Sequence, residues 1–581
     1  MKIASKLSSY HRIPGSQGYL TATSFIKSFL DEKEGELAEK ALGDTVYLTR
    51  SRGWNPISGW LRVRDSTWEF RGVPTLIAAY SPSSDGVVRG NVSLVDDGVE
   101  CRIDPGSIVV TSLYPSLLYL KCRDELKNAA GVIVYVEDRR KTPTGFPYVR
   151  VDLGYWRTIG LPVVTASQVI ADRLKKKGGP VELYVETDSQ SRETPIVKYS
   201  LPGKDDEEIV VVAHICHPKP GANDNASGSS VVLHLAKYFS AKNREGWTPR
   251  MGLTFLWVPE YLGTFYSLET GFIDPKKTLF AINLDMVGGD PRFNGGTLSF
   301  VESSPSSPGI YEAVVYNFLE ETVYRNKSFS GLNRLPYIAF NPYSRFEIGS
   351  DHDVFASYGV EAVMVNQWPD RFYHTHEDSP EKLSPAILES VALATRDSIE
   401  FLAGLNAAKA EELSKFLWKR FLLILSRQAS LPNPRMGVSY LKERISLINE
   451  NLKISDSSLR LFVAENLERM RSFIESLEKL YPLENFECCI NIERPEVRMP
   501  PYPLEKSIRS LTYREMSLYM NHSTLVIEFY RLVSRGMDPC QAELVLRSYY
   551  VFRRDKLCAI KDLIVKLVKM NSRQQRLVED G

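Results

Sequence analysis

A chain of 581 residues is too long for a single hydrophobic core, and its length predicts about three or four domains. The composition, 43% hydrophobic and 25% charged residues, is that of a soluble globular protein. A formal net charge of +1 gives no electrostatic reason for nucleic acid or an acidic membrane as the main partner. The first residues lack the apolar core of a signal peptide. The sequence also contains no run of roughly 18 apolar residues, the length needed to span a bilayer, so we expect a cytoplasmic protein.

Within the N-terminal third of the chain, the sequence pattern changes from that of a helix to that of short strands. Residues 18–41 have the apolar spacing of a helix, which we assign with the rest of residues 1–65 to the first part of a domain that continues at residue 196. Residues 66–195 contain short strands broken by Gly, Pro and Asp, and predict an inserted β-rich domain. Its predicted strands are Thr75–Ala79, Ser107–Val110 and Gly131–Tyr135, and its predicted helices are Cys122–Ala130 and Ala166–Lys177.

Strand and helix patterns alternate over residues 196–405, which predicts a mixed, mostly parallel sheet covered by helices. Its predicted strands are Ile209–Ala213, Gly252–Val258, Thr278–Leu284 and Glu361–Asn366, and its predicted helices are Ile310–Val323 and Pro385–Leu402. Residues 406–581 predict a helical C-terminal region, with long helices at Leu459–Leu480 and Gln541–Val568 and a proline-rich linker at 495–503. The fold class is therefore α/β with a helical extension.

The cysteines do not indicate a disulfide framework or a paired zinc motif. Their number is odd and they are spread along the whole chain, so we expect most of them to be buried thiols. They are Cys101, Cys122, Cys216, Cys488, Cys489, Cys540 and Cys558.

The segment 212–228, VAHICHPKPGANDNASG, is the most informative one for function. It begins as an apolar strand, so His214 is expected at the carboxyl end of that strand, where open α/β sheets bind their ligands. His214 and Asp224 are metal-ligand types, and the glycine-rich bend between them can fold both toward one ion. Residues 223–228 then start a helix with Val231, Leu235 and Phe239 on its apolar face.

Other candidate ligands follow in the same region of the chain. Of the eight histidines, five lie between residues 214 and 376 in loops or at strand ends: His214, His217, His352, His374 and His376. Two carboxylates, Glu260 and Asp285, stand where buried strands end, so they are expected at the same sheet edge as His214. Taken singly, each residue is more often a structural histidine, a turn residue or a helix cap; together they indicate a metal site.

These motifs resemble a zinc exopeptidase family that includes bacterial leucyl aminopeptidases, aminopeptidase Y and glutamate carboxypeptidases. The resemblance rests on the order of five motifs: His214, GAND at 221–224, EYLG at 260–263, NLDMVG at 283–288 and YHT at 373–375. Residues 11–30 resemble the N-terminal helix of the family, and KNAAGVIVY at 127–135 resembles its protease-associated insert. HICHP at 214–218 is similar to a variant group of aminopeptidase-like proteins with an HxCHP motif.

The resemblance implies a zinc-exopeptidase fold and specific residue roles. It implies that His214 and Asp285 hold one zinc, that Asp224 bridges to a second, and that His374 holds the second. It also implies that Glu260 is the general base for the attacking water and that Tyr373 donates a hydrogen bond to the oxyanion.

Two positions depart from the family pattern. Tyr261 follows the base where the family has a metal-binding glutamate, and Cys216 stands where it has an aspartate that orients the histidine. His217 is a candidate compensating ligand. Three outcomes stay open: a two-zinc site completed by His217, His376 or the Tyr261 phenol; a one-zinc hydrolase, which we favour together with a weak or absent second ion; or a site without catalysis.

Several further residues receive a structural interpretation. Asp351, beside His352, could orient a ligand or cap a helix, Asp378 is expected to cap a helix after a turn, and His234 is expected inside a helix. The basic residues near 553–556 are expected on a solvated face or in an oligomer contact.

The sequence therefore predicts a zinc-dependent aminopeptidase acting on short peptides, with no nucleic-acid or membrane partner and a possible homo-oligomeric assembly. The alternatives are a carboxypeptidase or another amide hydrolase, and an inactive binding module. A nucleic-acid scaffold would depend only on the excess of 29 Lys and Arg over 22 Asp and Glu in residues 406–581.

Overall fold

The computed structural model describes the chain except for residues 32–45, 52, 139–140, 152–158, 191, 430–433, 451–453, 455, 481–487, 491–507, 509, 551–553 and 580–581. Its strands are β1 (Val46–Ser51), β2 (Asn55–Val63), β3 (Ser66–Glu69), β4 (Val88–Leu94), β5 (Ile108–Thr111), β6 (Gly131–Val134), β7 (Val163–Thr165), β8 (Pro180–Asp188), β9 (Arg192–Leu201), β10 (Glu208–His214), β11 (Gly252–Val258), β12 (Thr278–Leu284), β13 (Thr297–Val301), β14 (Asn326–Lys327), β15 (Arg334–Leu335), β16 (Phe340–Ser344) and β17 (Glu361–Trp368).

The helices are α1 (Lys2–Ser8), α2 (Gln17–Asp31), α3 (Pro115–Cys122), α4 (Gln168–Lys177), α5 (Gly228–Arg244), α6 (Leu262–Glu269), α7 (Pro291–Asn294), α8 (Glu312–Val323), α9 (Asp351–Ser357), α10 (Pro385–Ala403), α11 (Ala410–Ala429), α12 (Pro434–Glu450), α13 (Ser457–Leu480), α14 (Tyr513–Ser534), α15 (Pro539–Tyr550) and α16 (Arg554–Glu579).

An eight-stranded mixed sheet contains the strands predicted for residues 196–405. Its strand order is β1-β9-β11-β10-β12-β17-β13-β16. The central strands β11, β10, β12 and β17 are parallel to one another. Strands β10, β11 and β12 are apolar and buried over most of their length because helices cover both faces of the sheet. Parallel strands end at the same edge, so the segments after β10, β11 and β12 meet there.

A second, seven-stranded sheet has the order β3-β2-β8-β4-β5-β6-β7 and lies between residues 55 and 188. It confirms the β-rich character predicted for this part of the chain, while the domain boundaries at 66 and 195 stay a prediction. Two local predictions are wrong. Residues 75–79 form only isolated bridges through Ile77 and Ala79. The helix predicted at Cys122–Ala130 is only a short 3-10 helix at Glu125–Asn128, and the α-helix of this segment lies earlier, in α3, where a proline at its first turn favours the start.

The C-terminal region is helical, as predicted. The pattern at Leu459–Leu480 is confirmed by α13, whereas the pattern at Gln541–Val568 is divided between α15 and α16. The proline-rich linker at 495–503 and the last ten residues of the helix predicted at 18–41 lie outside the described residues, and α2 accounts for the rest of that helix.

Buried ion pairs join the helical region to the sheet domain. Arg420 of α11 lies 3.3 Å from a carboxylate oxygen of Glu302 and 3.2 Å from one of Glu312. Arg444 of α12 lies 2.8 Å from Glu312, and Arg427 contacts Glu302. Burial raises the pKa of Glu302, but the three guanidinium groups outweigh it and lower that pKa to about 2.

The prediction that most cysteines are buried thiols is wrong. Disulfides join Cys101 to Cys122 and Cys489 to Cys558. The paired residues are 21 and 69 positions apart in the chain, and such spacings carry no pairing signal in a sequence of this length. Cys216, Cys488 and Cys540 are free and partly buried.

Among the described helices, none is both long and apolar enough to span a lipid bilayer.

Candidate metal centre

The ends of three parallel strands bring three predicted site residues together. His214 is the last residue of β10, Glu260 follows β11 by two positions, and Asp285 follows β12 directly. All three line up at the carboxyl edge of the eight-stranded sheet, as their positions in the sequence predict. Donor atoms of His214 and Asp285 are 3.2 Å apart.

Asp224 comes from the irregular turn Ala222–Ser227, which precedes α5. The turn begins at Gly221, whose φ is +54°. A Cβ atom at residue 221 would lie 2.3 Å from His217 Nδ1 and 2.5 Å from the Asp224 carbonyl oxygen, so only glycine fits there. The tight turn brings Asp224 back over the end of β10, as the glycine-rich segment predicts.

Asp224 lies between two groups of side chains. Its Oδ1 is 3.3 Å from Nε2 of His214. Its Oδ2 is 3.3 Å from Nε2 of His217 and 3.2 Å from Nε2 of His374. One carboxylate therefore joins two sets, His214 with Asp224 and Asp285, and His217 with Asp224 and His374, and the donor atoms within each set are close enough to hold one cation.

The ring hydrogen bonds direct the lone pairs of the histidines into this space. Nδ1 of His214 is 3.1 Å from the Cys216 carbonyl oxygen, and Nδ1 of His217 is 2.8 Å from the Pro218 carbonyl oxygen. A carbonyl oxygen can only accept, so each Nδ1 carries a proton, and in the neutral, metal-binding form of each ring the Nε2 lone pair is directed toward the Asp224 carboxylate. Nε2 of His217 is buried and makes no hydrogen bond. A cation bound between these Nε2 atoms and the Asp224 carboxylate would be coordinated by both.

The donor set fits zinc. Imidazole nitrogen and carboxylate oxygen are common zinc ligands, and each set offers three of them, with room for a fourth, non-protein ligand at a catalytic ion. His214, Asp224 and Asp285 would hold one ion. His217, Asp224 and His374 would hold the other.

Two of the replacements considered for the missing glutamate are wrong. The Tyr261 hydroxyl donates to Asp353 at 2.8 Å, away from the centre. His376 Nδ1 accepts from the Phe146 backbone N–H at 3.1 Å and belongs to neither set. Only His217, of the three candidates, lies where a ligand for the second ion is needed.

Cys216 contacts His214 through both its backbone and its side chain. His214 Nδ1 lies 3.1 Å from the Cys216 carbonyl oxygen and 3.9 Å from the Cys216 sulfur, and the sulfur accepts the Glu260 backbone N–H at 3.1 Å. The sulfur, His214 and Glu260 also form a group of donor atoms within metal-binding distance of one another. In this geometry Cys216 positions Glu260 and His214 together.

Further polar residues hold the ligands in place. Ser350 donates to Asp285 Oδ2 at 2.7 Å and accepts from Asn283 at 2.8 Å. Asp351 accepts the Tyr261 backbone N–H at 2.9 Å, so it orients the segment that carries the base and does not cap its own helix. Such contacts restrict the carboxylates to one orientation.

The turn that carries Asp224 is fixed by two charged residues. Asp378 accepts the backbone N–H groups of Asn223 and Asp224, each at 2.9 Å, so the expectation that it caps a helix is wrong. Arg12 is fully buried and donates to the carbonyl oxygens of Ile215 and Gly221, each at 2.8 Å. The N-terminal segment thus holds both ends of the metal-ligand loop.

The local field at the centre favours a positive charge. Burial raises the pKa of Asp224, but His217 and His374 outweigh it and hold that pKa well below its usual value. Burial lowers the pKa of His214, but the Asp285 and Glu260 carboxylates hold it well above its usual value. Buried carboxylates that stabilise protonated imidazoles also stabilise a metal cation in their place.

Three backbone positions at the centre are strained. Tyr261, Met286 and His374 have φ values of 60°, 59° and 53°, a region that non-glycine residues seldom adopt. The first follows the base, the second follows Asp285, and the third is itself a proposed ligand. Strain of this kind is commonly stored at functional sites.

A cavity of about 600 Å³ opens onto the centre. Asp224, Glu260 and Asp285 lie in its wall with His374 and Tyr373, and the Tyr373 ring stacks on the His374 ring at 3.8 Å between centroids. Its remaining lining residues are Met286, Ser299, Val301, Asn341, Ser344, Arg345, Glu347, Ile348, Gly349, Met364, Asn366, Trp368 and Tyr550. A volume of this size suits a small ligand or a short peptide.

Sequence reasoning missed several residues of the centre. Tyr148, from the insert, packs edge-on against both His217 and His374, with centroids 5.1 Å apart in each case. Arg12 and Ser350 were not singled out either, although Arg12 lies in the N-terminal segment 11–30 and Ser350 directly precedes Asp351 and His352. Tyr148 could not be predicted, because no local sequence pattern records that a residue from a distant part of the chain packs against these histidines.

Other predicted candidates lie elsewhere. His352 is buried, its Nε2 donates to the Glu347 carbonyl oxygen at 2.9 Å, and burial lowers its pKa to about 4. His234 lies inside α5, as expected, with its side chain exposed. The side chains of residues 553–556 lie outside the described part of the chain.

One protein-family model matches part of the chain. Residues 196–399 match the family model described as Peptidase family M28. Comparison with curated protein sequences returned no match.

Several solved structures are similar to the chain. An aminopeptidase from Aneurinibacillus sp. strain AM-1 is 20% identical, over 69% of this chain and 92% of its own, with a TM-score of 0.44. BSAP, a zinc aminopeptidase from Bacillus subtilis, is 18% identical over 69% and 95%, with a TM-score of 0.48. A peptidase M28 precursor from Shewanella amazonensis SB2B is 16% identical over 70% and 92%, with a TM-score of 0.48.

Proposed function

We propose that the protein is a zinc-dependent exopeptidase, an aminopeptidase that removes the N-terminal residue of short peptides. One observation carries the proposal: the Asp224 carboxylate is shared between His214 on one side and His217 and His374 on the other, at 3.2 to 3.3 Å. The match of residues 196–399 to Peptidase family M28 supports the same chemistry.

The ligand sets support two zinc ions. Asp285 and His214 would hold the first ion, His217 and His374 the second, and Asp224 would join them. The second set is complete without the glutamate that Tyr261 replaces, so the geometry favours two ions over the single ion favoured by the sequence. Zinc held there would polarise the scissile carbonyl and lower the pKa of a water molecule.

Glu260 is positioned to move the proton. It lines the cavity beside Asp224 and Asp285, and its backbone is held by Cys216 and, through Tyr261, by Asp351. Its carboxylate takes a proton from the attacking water, whose oxygen bonds to the carbonyl carbon. When the carbon–nitrogen bond breaks, Glu260 returns that proton to the leaving amine.

Tyr373 is the proposed hydrogen-bond donor to the oxyanion. Its ring is held against His374 and, edge-on, against Trp368 at 5.1 Å. Within the described part of the chain its hydroxyl makes no hydrogen bond, so the hydroxyl is available to a ligand in the cavity. A phenol donor fixed in this way stabilises a developing negative charge.

The charged groups of the cavity wall divide between the centre and its surroundings. Asp224 and Asp285 would be neutralised by the zinc ions that they hold, and Glu260 is the proposed base. Beyond these residues the wall contains one carboxylate, that of Glu347, and one guanidinium, that of Arg345, which suit an α-ammonium group and an α-carboxylate respectively.

Metal content and hydrolysis test the proposal together. We expect the zinc-loaded protein to hydrolyse aminoacyl amides and short peptides with a free amino terminus but not their N-acetylated forms. Glu260→Gln should abolish most turnover and retain the zinc, because the base is not a ligand of either set. Absence of both zinc and hydrolysis after zinc or cobalt addition would leave a binding module as the better description, and preference for N-blocked peptides would indicate a carboxypeptidase.

We also propose that the protein lies in the cytoplasm and assembles into homo-oligomers. Cell fractionation tests the first proposal, and light scattering tests the second.

A further inference from the structure

One segment of the cavity wall, residues 345–349, carries two opposite charges toward the same space. Phe346 is fully buried, while Arg345 and Glu347 on either side of it line the cavity. Phe346, between them, packs in the hydrophobic core of the sheet domain. The cavity therefore contains a guanidinium and a carboxylate two positions apart.

The C-terminal helical region fixes this segment. The Phe346 backbone N–H donates to the Tyr549 hydroxyl at 2.6 Å, and the Tyr550 hydroxyl donates to the Phe346 carbonyl oxygen at 2.8 Å. Both tyrosines end α15, and the Tyr550 ring lines the cavity. Because the backbone N–H and C=O of Phe346 are both hydrogen-bonded, the peptide groups on either side of this residue are held, and the charged side chains of Arg345 and Glu347 start from fixed points.

In the part of the chain that the structure describes, neither Arg345 nor Glu347 has an ion-pair partner, and they do not pair with each other. A guanidinium recognises a carboxylate through two parallel hydrogen bonds, and a carboxylate recognises an ammonium group through charge-assisted bonds. The two groups together suit a ligand with a positive and a negative end.

The two residues lie close together along the chain. Two residues span at most about 7 Å of backbone, so the two side chains start from points no farther apart than the ends of a dipeptide.

We propose that Arg345 and Glu347 select dipeptides with two free termini, Glu347 binding the α-ammonium group and Arg345 the C-terminal carboxylate. This assignment rests on the proposed peptidase function and specifies its substrate class. The C-terminal helical region then contributes to specificity by holding the segment in the cavity wall.

The test compares alanyl-alanine, alanyl-alanine amide and tetra-alanine as substrates of the zinc-loaded protein. We expect kcat/KM for the dipeptide to exceed that for its amide and for the tetrapeptide about tenfold, equivalent to about 1.4 kcal/mol. Arg345→Gln should bring the ratio of dipeptide to amide close to one. Arg334→Gln, at an exposed position outside the cavity, is the matched control and should keep the ratio.

Glu347→Gln should lower kcat/KM for the dipeptide and the amide by the same factor, since both retain the α-ammonium group. Glu245→Gln, at an exposed position after α5, is its control.

A binding titration of the Glu260→Gln protein with the dipeptide and its amide separates this inference from the proposed function. Hydrolysis without preference for the free carboxylate, or a preference unchanged in Arg345→Gln, overturns the assignment and leaves a peptidase. Selective binding without any hydrolysis by the unsubstituted protein supports the assignment and refutes the peptidase. Neither binding nor hydrolysis refutes both.

Discussion

Replacing His217 with alanine should remove the second zinc and keep the first. His217 supplies one of three protein ligands in the set with Asp224 and His374, and it takes no part in the set with His214 and Asp285. Zinc sites with four ligands have apparent binding free energies of about 10–16 kcal/mol, or roughly 3–4 kcal/mol per ligand. The second ion should therefore bind about 10² to 10³ times more weakly in His217→Ala.

The assay is zinc stoichiometry by elemental analysis, followed by a calorimetric titration of the metal-free protein. We expect two sites in the unsubstituted protein and one site of unchanged affinity in His217→Ala. His234→Ala, a change at an exposed histidine outside both sets, should behave like the unsubstituted protein. Two zinc ions bound to His217→Ala with unaltered affinity would refute the assignment of His217 as a ligand. The same result would refute the proposal that His217 replaces the glutamate that is absent at position 261.

Three other outcomes follow from the structure. Ser350→Ala removes the hydrogen bond to Asp285 Oδ2 and should weaken the first zinc about 10- to 100-fold, measured by chelator competition; unchanged affinity would show that Ser350 does not orient the ligand. Glu302 has a pKa lowered from 4.5 to about 2, so its stabilisation is complete above pH 4.5 and is lost as the pH falls toward 2; urea unfolding across this range should show a slope that Glu302→Gln removes. Tyr550→Phe deletes the hydrogen bond to the Phe346 carbonyl oxygen, so it should lower the free energy of unfolding by about 1 kcal/mol and raise KM. An unaltered KM would show that this contact of α15 does not influence substrate binding.

The regular elements of the main sheet follow closely from local patterns. The apolar runs at Gly252–Val258 and Thr278–Leu284 are strands with those bounds, because strands buried on both faces need apolar residues at every position. The positions of His214, Glu260 and Asp285 at one edge then follow from parallel pairing. The strand expected at Thr75–Ala79 fails because an apolar run near turn residues can lie in a loop that packs without pairing.

The roles of the variant residues could not be deduced from the sequence. HICHP predicts that Cys216 and His217 matter, but not that the cysteine backbone orients His214 while its sulfur positions Glu260. Likewise, Tyr261 replaces the metal-binding glutamate of the family pattern. Its phenol donates to Asp353, and its backbone has a positive φ, neither of which the sequence predicts. These outcomes depend on side-chain directions, which chain spacing does not encode.

The sequence by itself determined which groups are available: histidine nitrogens, carboxylates, a base and a tight glycine turn, each placed at a strand end by local hydrophobic patterning. Only the tertiary structure decided how they combine. Asp224 is shared because a turn after β10 meets His374 from a loop 150 residues later, and Tyr148 of the insert packs on both histidines of the second set. The helical region enters the cavity through Tyr550 for the same reason: contacts between distant segments depend on how whole elements pack, and no local pattern records that packing.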